Sequence, residues 1–340
     1  MNRISGAVLL LLLTGIVGLR AQLIESPYEV GKWYGFKDCA ITYTFDDWTA
    51  NQYATAVPVL NGFGFSATFY IVISWGPDWN NVLNTAKMGH EIASHSLMHP
   101  RLNELTVEEE EKELGNSARK IIEETGAGNG LTIAYPYCVP GRDSLVSKYY
   151  FGARHCQGYV ENSTPADIFR VSAIICGSQG QVHSSADFIA KHNEAYSKNG
   201  WSVYLMHGID DDGGYSSLLS DTLRKSLEYL EENPEKFWVD NFGNVIRYIR
   251  ERNSVSLHDA GSDADTVRVR VSDNLDDLIF NHPLTIRFPL PENWQQVSGI
   301  QNRVPVKAII ISDNKGKFVQ FDAVPDRGVV SLFNGGFLPE

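Results

Sequence analysis

Two rhythms of apolar and polar positions divide this chain of 340 residues. From about Lys37 to Arg252, short apolar runs alternate with stretches of helical spacing. "CAITYTF", Cys39 to Phe45, reads as a strand. "NQYATAVPVLNGFG" follows as a helix interrupted by Pro58 and closed by glycine. "SATFYIVI", Ser66 to Ile73, and "EIASHS", from Glu91, are the next strands. Thr106 with Glu109 forms a capping box, so a helix starts there, and the acidic run Glu108 to Glu111 suits its first turns. Gly126 ends it. "LTIAYPY" and "WSVYLMHG" are later strands, and "LLSDTLRKSLEYLEEN" and "NFGNVIRYIRER" the last helices. Such alternation predicts a parallel sheet covered by helices, open or closed into a barrel, with functional residues at the C-terminal ends of its strands.

After Arg252 the period changes. "SDAD" is polar, and "TVRVRVS" then alternates strictly, with Val267, Val269 and Val271 on one face and Arg268 and Arg270 on the other. "LTIRFPL", "VKAIIIS", "KFVQFDAV" and "GVVSLF" follow, punctuated by Pro, Gly, Asn and Asp. This predicts a small antiparallel β-sandwich. The expected division is a leader over 1–21, a first domain over 22–252, a linker over 253–265 and a β-sandwich domain over 266–340.

The leader rests on Arg3, the apolar run Ala7 to Leu13 and the small residue Ala21, after which cleavage is expected. The run is too short for a span of about 20 residues. The protein is therefore expected to be exported, periplasmic or extracellular, with no transmembrane span in the mature chain. The formal net charge is -12, and losing Arg3 and Arg20 with the leader makes it -14. No basic footprint exists for nucleic acid, and a neutral or cationic partner fits this balance better than a polyanion. Export permits disulfides among Cys39, Cys138, Cys156 and Cys176. Cys156–Cys176 is the pair the positions favour, with four buried thiols as the alternative.

The predicted strand ends carry the chemistry. One ends at Asp46-Asp47, a second runs into His95 and His99, a third into Tyr135-Pro136-Tyr137, and a late one ends at His207. Two histidines and a carboxylate provide three metal ligands and leave positions open, the pattern of a catalytic site. Paired aspartates in a closed site need a nearby positive charge. A divalent cation would hold one and leave the other free to accept a proton.

Together, "TFDDW", "GHEIASHSLMH", "AYPY" and "LMHG" resemble, in order and spacing, the motifs of the polysaccharide deacetylase family, the family 4 carbohydrate esterases. The resemblance covers roughly Lys37 to Arg252. It implies an α/β fold, a distorted (β/α) barrel of the polysaccharide deacetylase type, here followed by the small all-β sandwich-like domain. It also implies metal-dependent hydrolytic removal of N- or O-linked acetyl groups from an acetylated polysaccharide. Asp46 resembles the catalytic base that activates water at the metal, and Asp47, His95 and His99 resemble the metal ligands. Tyr137 resembles the residue whose backbone N–H holds the oxyanion, and His207 the acid that protonates the leaving group. Zinc suits two imidazoles and a carboxylate, with cobalt or nickel also accepted. His90 matches the run before the histidine motif and is expected to be structural.

Ala134 stands where the family often has the arginine that orients the catalytic aspartate. Arg142, Arg154 and Arg170 are the candidates to replace it. Trp48, Tyr135 and Tyr215 flank motif residues and are candidates for stacking on sugar rings, ordinary packing being the alternative. The aspartates Asp210 to Asp212 are expected to cap the following helix. A non-catalytic glycan-binding protein on the same fold is the alternative function.

Overall fold

The computed structural model describes residues 26–335, so the leader expected over residues 1–21 lies outside the described residues. The short strand β1 (Glu29–Val30) comes first. Eight strands then build a parallel sheet: β2 (Cys39–Asp46), β3 (Thr68–Ile71), β4 (Glu91–Ser94), β5 (Thr132–Ala134), β6 (Gly152–Arg154), β7 (Ile174–Ile175), β8 (Trp201–Met206) and β9 (Phe237–Val239). Their order is β6-β5-β4-β3-β2-β8-β7, with β9 also paired to β2. The interleaved helices are α1 (Val57–Gly62), α2 (Trp79–Lys87), α3 (Val107–Thr125), α4 (Asp143–Tyr149), α5 (Ser185–Lys198), α6 (Ser220–Glu231) and α7 (Phe242–Ser254). The sheet curls into a partial barrel. A parallel bridge from Arg154 to Val171, just ahead of β7, links the β6 edge to the segment leading to the opposite edge.

All eight residues of β2 are buried, although threonines alternate with apolar residues along it. A central parallel strand is covered on both faces, so its polar side chains need internal partners. Thr44 Oγ1 donates to Tyr204 O at 2.7 Å, and Thr42 Oγ1 donates to Asp240 O and accepts from Trp201 Nε1. Ile41, Tyr43 and Phe45 pack in one core with residues of α1, α5 and α6. On the other face Ala40 joins a core containing Phe242, Val245, Ile246 and Ile249 of α7. Asp46 continues the row of Ala40, Thr42 and Thr44, because side chains two apart share a face.

The remaining strands are β10 (Ser256–Asp259), β11 (Thr266–Ser272), β12 (Leu284–Pro289), β13 (Val297–Gln301), β14 (Val304–Val306), β15 (Ala308–Asp313), β16 (Gly316–Ala323) and β17 (Val329–Asn334). They form two antiparallel sheets, β10-β11-β17-β13-β14 and β1-β12-β16-β15. The stretch read as a linker thus holds β10, paired along its length to β11. Val269 and Val271 are buried and Arg270 is exposed, as the alternation requires. The buried residues of these sheets belong to the same core as α7, Trp33 and Trp238, so the β-rich part packs continuously against the parallel sheet.

The capping box is formed: Glu109 N donates to Thr106 Oγ1 and Thr106 N to Glu109 Oε2. The Cys156–Cys176 pairing is not. The disulfide joins Cys138 to Cys156, with Cα atoms 5.8 Å apart, and Cys39 and Cys176 are buried thiols. Both half-cystines lie just beyond the C-terminal ends of neighbouring strands, β5 and β6, which brings them together, whereas Cys176 follows β7 at the opposite edge.

Candidate active site

Asp46, Asp47, His95, His99, Tyr135, Tyr137 and His207 all line one cavity of about 470 Å³ at the C-terminal ends of the strands. Successive residues of a strand point to opposite faces, so Asp46 and Asp47 would diverge if β2 ran on. Asp47 instead adopts a left-handed φ of 77°, and both side chains reach the same cavity. The backbone here is held in rarely populated conformations: Trp48, Ser96, His99, Tyr137 and Cys138 also have positive φ. Each such non-glycine residue costs roughly 1–2 kcal/mol. His95 and His99 therefore sit on a loop rather than a helical turn. Glu113 of α3 pins this loop, its Oε2 accepting from Leu97 N at 3.0 Å and Met98 N at 2.8 Å.

His95 Nδ1 lies 2.8 Å from the carbonyl of Ala134. A carbonyl can only accept, so Nδ1 carries the proton and Nε2 presents its lone pair. That Nε2 is 3.7 Å from Asp47 Oδ1, and His99 Nε2 is 3.9 Å from the same oxygen. One donor atom from each of the three residues lies within 4.8 Å of the others. Asp47 Oδ1 is buried without a hydrogen-bond partner among the described residues. Burial first, and then the charge of Asp46, push the Asp47 carboxyl up to about 7. Burial pushes His95 down to about 4, so its ring is neutral. An orphaned buried oxygen and two neutral imidazoles fit a divalent ion, which would keep Asp47 ionised.

Asp46 is differently supported. Arg154, 2 % exposed, reaches both oxygens through Nη2, at 2.6 Å to Oδ1 and 2.5 Å to Oδ2. Burial alone would raise this carboxyl, but the guanidinium, with His95 and His207 beyond it, outweighs burial and holds it below the usual range. His207 Nε2 is 3.8 Å from Asp46 Oδ2. Burial lowers the His207 imidazole, against the pull of Asp46. Gln52 ties the two strand ends together, its Nε2 donating to Asp46 O at 2.5 Å and His207 O at 2.9 Å.

Of the three arginines considered at the sequence level, Arg154 occupies the place left by Ala134. The two are register partners on β5 and β6, so the guanidinium enters from the neighbouring strand. Arg142 pairs with Glu110, and Arg170 with Asp143 and Asp167. His90 is structural: Nδ1 accepts from Ala67 N, and Nε2 faces Asn61 Oδ1 at 3.1 Å. Of Asp210 to Asp212, Asp210 alone meets the following helix, its Oδ1 accepting from Ser220 N at the start of α6, whereas Asp212 Oδ2 accepts from Asn51 N.

Among the candidate stacking residues, Trp48 packs on Phe69 and Tyr53 and does not line the cavity. Tyr135 lines it but is buried, its hydroxyl donating to Phe169 O. Tyr215 is 54 % exposed, edge-on to His207 at 5.0 Å. Gln52, Glu113, Trp75 and Arg101 belong to no motif, and each reaches the site through a contact to a residue distant in the chain, Gln52 also bonding nearby Asp46.

Residues 35–150 match the family model described as polysaccharide deacetylase. A curated Bacillus protein named gellan lyase is 25% identical over 329 residues, an alignment covering 89% of this chain. The chain spans only 13% of that relative's length. Among solved structures, a Mycobacterium smegmatis protein assigned as a polysaccharide deacetylase aligns with a TM-score of 0.50 at 16% identity, covering 65% of this chain and 93% of that one. A family 4 carbohydrate esterase from Bacillus anthracis is 20% identical with a TM-score of 0.44, covering 63% of this chain and 86% of that one.

Proposed function

We propose that this chain, which carries the polysaccharide deacetylase family over residues 35–150 and so belongs with a family of hydrolases, removes acetyl groups from a polysaccharide. The observation that carries the reading is the division of labour between adjacent aspartates. Asp46 is held ionised by Arg154, while Asp47 faces His95 and His99 with an oxygen left over.

Asp47, His95 and His99 would hold the divalent ion, for which zinc is the first choice, with cobalt and nickel alternatives. Bound there, it would supply Lewis-acid polarisation of the acetyl carbonyl and a lower pKa for the attacking water. Asp46 accepts the proton of that water through Oδ2. The backbone N–H of Tyr137 donates to the developing oxyanion. His207 Nε2 protonates the departing amine or alcohol. Burial lowers the His207 imidazole, and the charge of Asp46 offsets part of that, supporting the imidazolium the step requires. Once Asp46 has taken its proton that support is gone, so His207 becomes a stronger acid as the leaving group departs. Ile175 and Leu205, which also line the cavity, offer an apolar wall to the acetyl methyl.

The leader over 1–21 and the residue roles above belong to this proposal, as does an exported location. Among the described residues, no helix is long and apolar enough to cross a membrane. The test is acetate release from a panel of acetylated glycans, with and without chelator. Release that chelation abolishes, and that drops about 10²–10⁴-fold in Asp46→Asn, is expected. No release from any glycan and no bound divalent ion would overturn the reading in favour of glycan binding alone.

A further inference from the structure

The catalytic scheme leaves one cation in the cavity wall unused. Arg101 lines the cavity, and its guanidinium carbon lies 4.7 Å from the centroid of the Tyr137 ring. Its nearest acid among the described residues is Glu104, i,i+3 on the same stretch, at 4.0 Å. Both side chains are largely exposed, so this pair holds the charge weakly. Arg142, Arg154 and Arg170, by contrast, are each committed to carboxylates.

A second feature adjoins it. Trp75 is 55 % exposed and lies 5.2 Å from the ring of His99, which also meets Tyr137 at 4.6 Å and His95 at 4.8 Å. Tyr137, His99 and Arg101 line the cavity, and Trp75, which does not, continues the row outward from His99. An indole left half in water forgoes much of its burial energy, and its flat apolar face matches the face of a pyranose ring.

We propose that Trp75 and Arg101 form a subsite for an acidic sugar, a hexuronate, beside the residue that is deacetylated. The proposal rests on the deacetylase reading. Stacking on Tyr137 restrains the guanidinium plane, which presents a fork matched to a carboxylate. The floor does not repel such a group once Asp46 is paired with Arg154 and Asp47 with a cation. With a formal net charge of -12, the chain gives a polyanion no long-range attraction. Selection of an acidic glycan therefore falls to this contact, contrary to the neutral or cationic preference that overall charge suggests.

The experiment uses two acetylated oligosaccharides that differ only in the sugar beside the acetylated one, a hexuronate or the corresponding neutral hexose. The protein is expected to show a kcat/KM roughly tenfold higher on the hexuronate, as a charge-assisted pair that is partly exposed allows. Arg101→Gln should erase the preference, and Trp75→Ala should raise KM on both substrates alike. Equal rates in the unmodified protein, or a preference that survives Arg101→Gln, would overturn the proposal. Binding of the same two oligosaccharides without acetyl groups is measured by calorimetry. If neither substrate releases acetate, the hydrolytic reading fails, and this binding decides the subsite alone. Tighter binding of the hexuronate, lost in Arg101→Gln, upholds it, and equal binding sinks it.

Discussion

Asp46 and Asp47 are adjacent in sequence and opposite in electrostatics. The first is surrounded by Arg154, His95 and His207, and the second has an unpartnered oxygen aimed at two imidazoles. On the roles proposed above, Arg154 is a positioning residue, since it touches Asp46 rather than the substrate. Burial raises a carboxyl, and replacing Arg154 removes the strongest group opposing it at Asp46, leaving His95 and His207. As the proposed base, Asp46 acts in its ionised form, present above its pKa and lost as pH falls through it. In Arg154→Gln the acidic limb of kcat/KM against pH should therefore move upward. Arg154→Lys, which retains the charge, should move it less. An acidic limb that stays in place in both variants would show that Arg154 only packs. Because an unpaired buried charge costs about 3–5 kcal/mol, the melting temperature is measured alongside.

Two strands only three residues long, β5 and β6, carry much of the site. β5 provides the Ala134 carbonyl for His95 and leads into Tyr137, and β6 ends on Arg154. The Cys138–Cys156 disulfide straps the segments that follow them, one residue past Tyr137 and two past Arg154. Reduction should loosen the left-handed turn at Tyr137 and the guanidinium together. A phosphine reductant, which avoids thiol competition for metal, is expected to lower kcat roughly ten- to hundredfold with the far-ultraviolet spectrum unchanged. Recovery on reoxidation, and insensitivity of a Cys138→Ser/Cys156→Ser variant to reductant, complete the check. Unaltered kcat in the reduced protein would exclude a strap function.

The two halves of the molecule share one core. Tyr34, Trp238, Tyr248 and His282 meet ring against ring at the junction, and Tyr34 donates to Asp322 Oδ2. β1, from the N-terminal side, is a strand of a C-terminal sheet. A truncation ending at residue 255 would expose this seam, and it should give insoluble or molten protein rather than a smaller active enzyme. A soluble truncated chain with full acetate release would contradict this. Acid stability is also set by the core. Burial pushes His90 down to about 4 and His192 down to about 3, while unfolded histidine titrates near 6.5. Between those values the unfolded chain binds more protons, so stability falls as pH drops below about 6.5. The slope is about 1.4 kcal/mol per pH unit for each such histidine. Urea midpoints between pH 7 and pH 4.5 should fall less steeply in His192→Gln than in the unmodified protein.

Much was legible from local pattern. The period of apolar residues marks the main strands and helices and the change to β structure after Arg252, because burial on one face imposes that period. Spacing and residue type bring Asp46, Asp47, His95, His99, Tyr137 and His207 under suspicion, because strand C-termini in a parallel sheet share one end. Strands β6 and β7 are too short for any period to mark them, and β2 looks half-solvated although both of its faces are covered. Which arginine meets Asp46 depends on strand register, and which cysteines pair depends on sheet order. Whether Asp47 turns toward its neighbour's cavity depends on a strained φ that only the surrounding packing can hold. These are contacts between residues far apart in the chain, and their energies arise only once the sheet has closed around them.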